Sequence, residues 1–203
     1  MTATAAPNHH ADYPGFAGVT GLLVGLLLLL MGRANARLAL SATSVSDTDH
    51  VVDIGCGPGG AARAAASRGA RVTGVDPANV MLRVARAFTR KPARITWTEG
   101  SAETLPLPDR SATVVWSLAT VHHWKDVDKG LAEARRILAP AGRLLAIERQ
   151  VRPDATGLAS HGWTEQQAET FAALCRTAGF DNVRVGKYGT GRRAVWMVSG
   201  IRP

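Results

Sequence analysis

Three groups of residues in this chain are of types that do chemistry, at spacings that matter. The first is DIGCGPGG, in which Gly55, Gly57 and Gly59 follow Asp53, with Cys56 and Pro58 inside the turn. Glycines let the backbone take positive φ and let a ligand come close to the main chain. The N–H groups of such a turn, and the positive end of the next helix, then face that ligand. Gly55, Gly57 and Gly60 satisfy the dinucleotide pattern GxGxxG, a weak signal alone. The acid two residues ahead of the turn repels a pyrophosphate and suits a cationic ligand. The second group is Asp76 at the end of RVTGVD, about twenty residues on, where mononucleotide-binding halves carry a ribose-binding acid. Asp76 is equally placed to start the helix after Pro77.

The third group lies later in the chain. His122 and His123 follow an apolar run, and imidazole suits proton removal near neutrality. Glu148 ends another apolar run, as a second base or as a rim ion pair with Arg149 or Arg152. His161 and Trp163, in SHGW, either wall a substrate pocket or anchor the helix that follows. His9, His10, Asp12 and Tyr13 crowd the N-terminal stretch, whose simplest reading is a solvated tail, with a lid over the ligand as the alternative. None of the histidines and acids shows HxxxH or HExxH spacing, so no metal site is expected.

Alternating strand and helix signals must position these groups. Strands are expected over 51–54, 71–75, 95–98, 113–116 and 143–147, and helices over 60–67, 78–89 and 127–138. Asp126 caps the last of these and Pro140 ends it. Repeated strand–helix units imply a parallel sheet with ligands at the carboxyl ends of the strands. The last quarter differs: a helix over 163–178 with a capping box from Thr164 and Gln167, closed by Gly179, then two strands near 182–187 and 194–201. Before the first strand, a short helix is expected over 34–41.

The string DIGCGPG resembles the first motif of the class I S-adenosylmethionine-dependent methyltransferases. Asp76 is similar to that family's second acid, and EGSAETLPLPD to its adenine-covering segment, with Ser101 where family members usually carry Asp. The resemblance covers roughly Val51 to Glu148, that is, a small-molecule, type 11-like methyltransferase. It implies an α/β, doubly wound, mostly parallel seven-stranded sheet with extra N-terminal helices. Residues 1–45 would be an N-terminal lid and apolar helix, and 46–203 the methyltransferase domain. The implied cofactor is S-adenosylmethionine, with S-adenosylhomocysteine as product. It would be held by Asp53, Gly55, Cys56, Gly57, Gly59, Asp76, Pro77, Met81, Ser101, Ala102, Glu103 and Ser117. His122, His123 and Glu148 are the candidate catalytic groups, and Tyr13, His122, His161 and Trp163 the candidate contacts to a small, apolar or hydroxylated acceptor, with a hydroxyl as the expected site of methylation.

Composition narrows the alternatives. The net charge is +8, from 20 Arg and 4 Lys against 16 acids, but the arginines are scattered and no basic block appears, so nucleic acid is not an expected partner. Two cysteines, Cys56 and Cys175, form no disulfide or metal framework, and a reducing cytoplasm is expected. The run 16–32 carries no charge. It sits at the lower edge of the length that spans a bilayer, typically about 20 residues, and reads as a buried or substrate-covering helix, with peripheral membrane contact as the alternative. Rival functions are an NAD(P)-dependent oxidoreductase, disfavoured because no Tyr-x-x-x-Lys pair is present, and a membrane-tethered, non-catalytic cofactor-binding protein. Oligomeric state and the identity of the acceptor are not legible.

Overall fold

The computed structural model describes residues 6–11, 33–90 and 94–203. Tyr13, Asp12 and the apolar run 16–32 therefore lie outside the described residues. Among those described, no helix is long and apolar enough to cross a membrane.

The elements are α1 (Arg33–Thr43), β1 (His50–Ile54), α2 (Gly60–Ala66), β2 (Arg71–Asp76), α3 (Asn79–Ala87), β3 (Ile95–Glu99), β4 (Ala112–Leu118), α4 (Val127–Ile137), β5 (Leu138–Arg149), α5 (Glu165–Thr177), β6 (Asp181–Tyr188) and β7 (Val195–Ile201). They form a seven-stranded sheet in the order β3-β2-β1-β4-β5-β7-β6. The pairs from β3 to β5 are parallel, while β7 runs antiparallel to both its neighbours. This is the doubly wound, mostly parallel sheet the sequence implies.

Every residue of β1 is buried, as expected for a parallel strand covered on both faces. Alternation sorts the strand residues into two cores. Val51, Val72, Val114, Trp116, Leu145 and Ile147 pack with Ala39 of α1 and with Ala62 and Ala65 of α2. Val52, Ile54, Val115, Leu144 and Ala146 pack with Leu131 and Ile137 of α4 and Phe171 of α5. Asp53 shares the pleat side of Val51, beneath the start of α2.

Local signals work where expected. The Asp126 side chain caps α4 through the Lys129 N–H, and Thr164 and Gln167 form the full capping box on α5. One boundary is corrected. The fifth strand begins at Leu138, not 143, and follows α4 without a loop. Leu138 pairs with Ala112 and a bulge follows, so backbone pairing starts two residues ahead of Pro140.

Chain reversal between β1 and β4, which lead to helices on opposite faces, opens a crevice at their carboxyl ends. Asp53, Asp76, Ser117 and Glu148 all sit at or near such ends.

Candidate active site

Asp53 is 2% exposed at the head of the glycine turn. One carboxylate oxygen, Oδ2, has no hydrogen-bond partner among the described residues. Burial first, then the negative charge of Asp76, push its pKa up to about 7, against the Ala62 N–H that it accepts. A carboxylate in that state is one cation short.

The turn is built tightly. The N–H groups of Gly55 and Cys56 donate to the Val75 carbonyl at 2.8 and 3.0 Å, and Gly59 N–H donates to Cys56 O at 2.9 Å. Gly57 N–H donates to Asp76 Oδ2 at 2.8 Å. The expectation that the turn's N–H groups stand free for a ligand is therefore corrected at these four positions. Open space remains at Gly57, where an added Cβ would meet nothing within 4 Å. At Gly59, with φ +78°, a Cβ would overlap the Trp97 ring. Cys56 is buried, and burial raises its thiol pKa well above the usual value.

The side-chain cap expected of Asp76 does not form, because the N-cap residue of α3 is Ala78 and no side chain caps it. Asp76 Oδ1 accepts from Ala78 N–H at 2.8 Å, and α3 begins at Asn79. Each oxygen spends one lone pair on these bonds, which leaves acceptor capacity on both. Of the other expected ligand contacts, Pro77 is exposed, Ser101 half-buried and Ala102 buried. Ser117 Oγ lies 2.7 Å from Thr120 Oγ1. Met81, 1% exposed, belongs to the core beneath α3, and Glu103 ties down the approach to α4 by accepting from the N–H groups of Lys125 and Asp126. Thr120 was not singled out by sequence. Its hydroxyl donates to Ile54 O at 3.1 Å and its side chain fills the space behind Gly55.

His122 and His123 lie in a single 3₁₀ turn, Val121–His123, after β4. Glu148, 0% exposed, takes His122 Nδ1 at 2.8 Å and its N–H at 3.4 Å. The rim ion pair considered for Glu148 does not form. Arg149 bonds instead to the carbonyls of Leu158, Ala159 and His161, and Arg152 pairs with Asp154. Those Arg149 bonds fold the loop that carries His161 back over the end of β5.

The reading of residues 6–11 as part of a solvated tail is overturned. Asn8 donates to the Trp124 carbonyl, and His10 N–H donates to His122 O at 2.9 Å. Trp163 Nε1–H donates to Pro7 O at 2.8 Å, and Gln167 Nε2–H to Ala6 O at 3.1 Å. Trp163, fully buried against Phe171, thus anchors this segment. His9 and His10 join His122, His123 and His161 in one cluster. Burial, followed by the neighbouring His122, lowers the pKa of His123 to about 4, and the same order of causes lowers that of His161 to about 4.

Comparison with known proteins places this arrangement. Residues 52–146 match the family described as a methyltransferase domain. The chain is 33% identical over 112 residues to a demethylmenaquinone methyltransferase of Tropheryma whipplei strain Twist, an alignment covering 55% of this chain and 46% of that protein. It is 34% identical over 114 residues to 27-O-demethylrifamycin SV methyltransferase of Amycolatopsis mediterranei, covering 54% and 42%. The chain spans about half the length of the curated relatives it matches. An S-adenosylmethionine-dependent methyltransferase of Aquifex aeolicus shares the fold at a TM-score of 0.72 and 16% identity, covering 90% of this chain and 98% of that one. Residues 52–146 thus match a methyltransferase domain, and the fold is that of the S-adenosylmethionine-dependent methyltransferases to which the chain is similar.

Proposed function

We propose that this protein transfers a methyl group from S-adenosylmethionine to a hydroxyl of a small molecule. The observation that carries the reading is Asp53: a buried carboxylate with an oxygen that has no partner among the described residues, at the head of a glycine turn, fits a cationic ligand. Asp53 would hold the amino-acid end of the cofactor, Asp76 the ribose hydroxyls with its remaining lone pairs, and Ser101 and Ala102 the adenine. When bound, the cofactor supplies a methyl group on a positively charged sulfur.

The protein's own contribution is alignment and a proton sink. Glu148 accepts from His122 Nδ1, so the neutral ring carries its lone pair on Nε2. That form accepts a proton from an acceptor hydroxyl, and the carboxylate stabilises the imidazolium that results. The segment 6–11, pinned by Trp163 and Gln167, excludes water beside this pair.

Calorimetric titration with S-adenosylhomocysteine tests the cofactor site. Asp53→Ala and Asp76→Ala should each weaken binding roughly ten- to hundred-fold, because each removes charge-assisted or paired bonds of about 1.5–3 kcal/mol. NADH should give no saturable heat. Wild-type affinity in both folded variants overturns the assignment. The acceptor is then sought by mass spectrometry with labelled cofactor, starting from demethylmenaquinone and 27-O-demethylrifamycin SV, the substrates named for the relatives.

A further inference from the structure

Five of the six histidines converge from three separate segments. Ring centroids lie 4.1 Å apart for His122 and His123, 4.2 Å for His10 and His161, and 4.5 Å for His9 and His10. His161 is 5.5 Å from His122 and 5.4 Å from His123. A general base needs one imidazole, and a second one beside it opposes its protonation. Several neutral imidazoles brought together in this way present several nitrogen lone pairs to one point.

We propose that His122, His123 and His161 bind a divalent transition-metal ion. Their ligand nitrogens all lie within 4.8 Å of one another. At His122 and His123 the hydrogen bonds leave the right atoms for an ion. His122 Nδ1–H donates to Glu148 and His123 Nδ1–H to His10 O at 3.4 Å, so each ring offers Nε2. A carboxylate behind a ligating imidazole is the usual support for such a site, since it fixes the tautomer and raises the basicity of the ring. Glu148 is a second, independent pointer. It is fully buried, and its one ion pair among the described residues is to His122. A cation held through His122 supplies the counter-charge that a buried carboxylate requires.

Three imidazoles and no thiolate suit zinc, with metal–nitrogen bonds of about 2.0–2.1 Å and a fourth position left for an oxygen ligand. Reaching those bonds requires the rings to close on the ion, by side-chain rotation in the 3₁₀ turn and in the loop that Arg149 holds. The expectation of no metal rested on spacing within one helix. Here the ligands come from a turn and a distant loop, which no local spacing reveals.

A nitrogen bound to metal cannot also take a proton. Were the ion present during methyl transfer, it would acidify an acceptor hydroxyl bound to it, and the proton would pass to solvent water. The site itself stands on geometry alone, and its test uses neither cofactor nor acceptor.

Tag-free protein is treated with chelator, desalted and titrated calorimetrically with zinc ion alone. Wild type should bind one equivalent. His161→Gln and His123→Gln should each lose that isotherm, and Glu148→Gln, which keeps the ligands and weakens their support, should bind roughly ten- to hundred-fold more weakly. Circular dichroism checks that the variants are folded. Cobalt(II) added to the wild type should give the visible bands of a four-coordinate nitrogen site, a readout independent of any variant. Absence of a one-equivalent isotherm in the wild type, or an unchanged isotherm in folded His161→Gln, overturns the proposal. Either result leaves the S-adenosylhomocysteine titration, and the methyl-transfer reading, untouched.

Discussion

His122 and Glu148 are the residues whose pairing decides what the site can do. Both are buried, and the carboxylate has been turned away from Arg149 and Arg152, the cations nearest to it in sequence. Truncating either partner would strand the other in the interior, which typically costs about 3–5 kcal/mol. Isosteric variants are therefore the informative ones. His122→Asn should lower kcat by roughly 10²–10⁴-fold while affinity for S-adenosylhomocysteine stays at the wild-type value. The loss should shrink at high pH, where the acceptor ionises without help. A steady-state pH profile checks both points, and a kcat within about threefold of wild type would mean that alignment alone carries the reaction.

At the scale of elements, the site depends on a loop as much as on the sheet. Residues after β5 are folded back by Arg149 and tied in by the bonds Trp163 N–H to Arg149 O at 2.8 Å and Val151 N–H to Trp163 O at 2.9 Å. Gly162, between His161 and Trp163, has φ +138°, and a Cβ there would overlap the Arg149 carbonyl oxygen. Gly157, in the same loop, has φ +57° and open space around it. Gly162→Ala should accordingly cost of order 1–3 kcal/mol through backbone strain, with the overlap adding to it, and should move His161. Gly157→Ala should cost less, since only backbone preference opposes it. Urea midpoints at constant m-value measure the contrast, and equal losses for the two would remove Gly162 from its role.

For the whole molecule, Asp53 sets a conflict between stability and binding. Its folded pKa, about 7, lies above the ordinary carboxyl value of 3.8. The folded state therefore binds this proton more tightly than the unfolded state. The contribution of Asp53 to stability is fully present below the unfolded value and is lost as pH rises towards 7. Asp53→Asn removes the buried charge and keeps an acceptor for the Ala62 N–H. The ligand-free variant should be more stable than wild type at pH 8 and show a flatter stability–pH curve between pH 4 and 7, yet bind S-adenosylhomocysteine more weakly. Thermal unfolding across that range is the measurement, and a variant no more stable at pH 8 would show that the charge is compensated within the protein.

Much of this protein could be read from the chain because the signals involved are local. Buried parallel strands are short apolar runs, Asp126 and Thr164 announce their helices, and Asp53, Asp76 and the glycines lie within one strand–turn–helix unit and its neighbour. The start of β5 was misread because Pro140 suggests a break, whereas pairing of Leu138 with Ala112 is set by a strand distant in sequence. The burial of Met81 and Trp163 was no more legible: an apolar side chain's type does not say whether it faces ligand or core, and packing placed both inside. The histidine cluster was beyond any sequence argument. Its members come from residues 9–10, 122–123 and 161, and they meet only because the β4 end, the loop folded by Arg149 and the segment anchored on Trp163 share one end of the sheet. Sequence determined which cofactor chemistry the crevice suits, since that rests on contiguous residues. Tertiary structure alone decided that five imidazoles and a buried carboxylate stand beside it, because convergence of distant segments is a property of the packed chain.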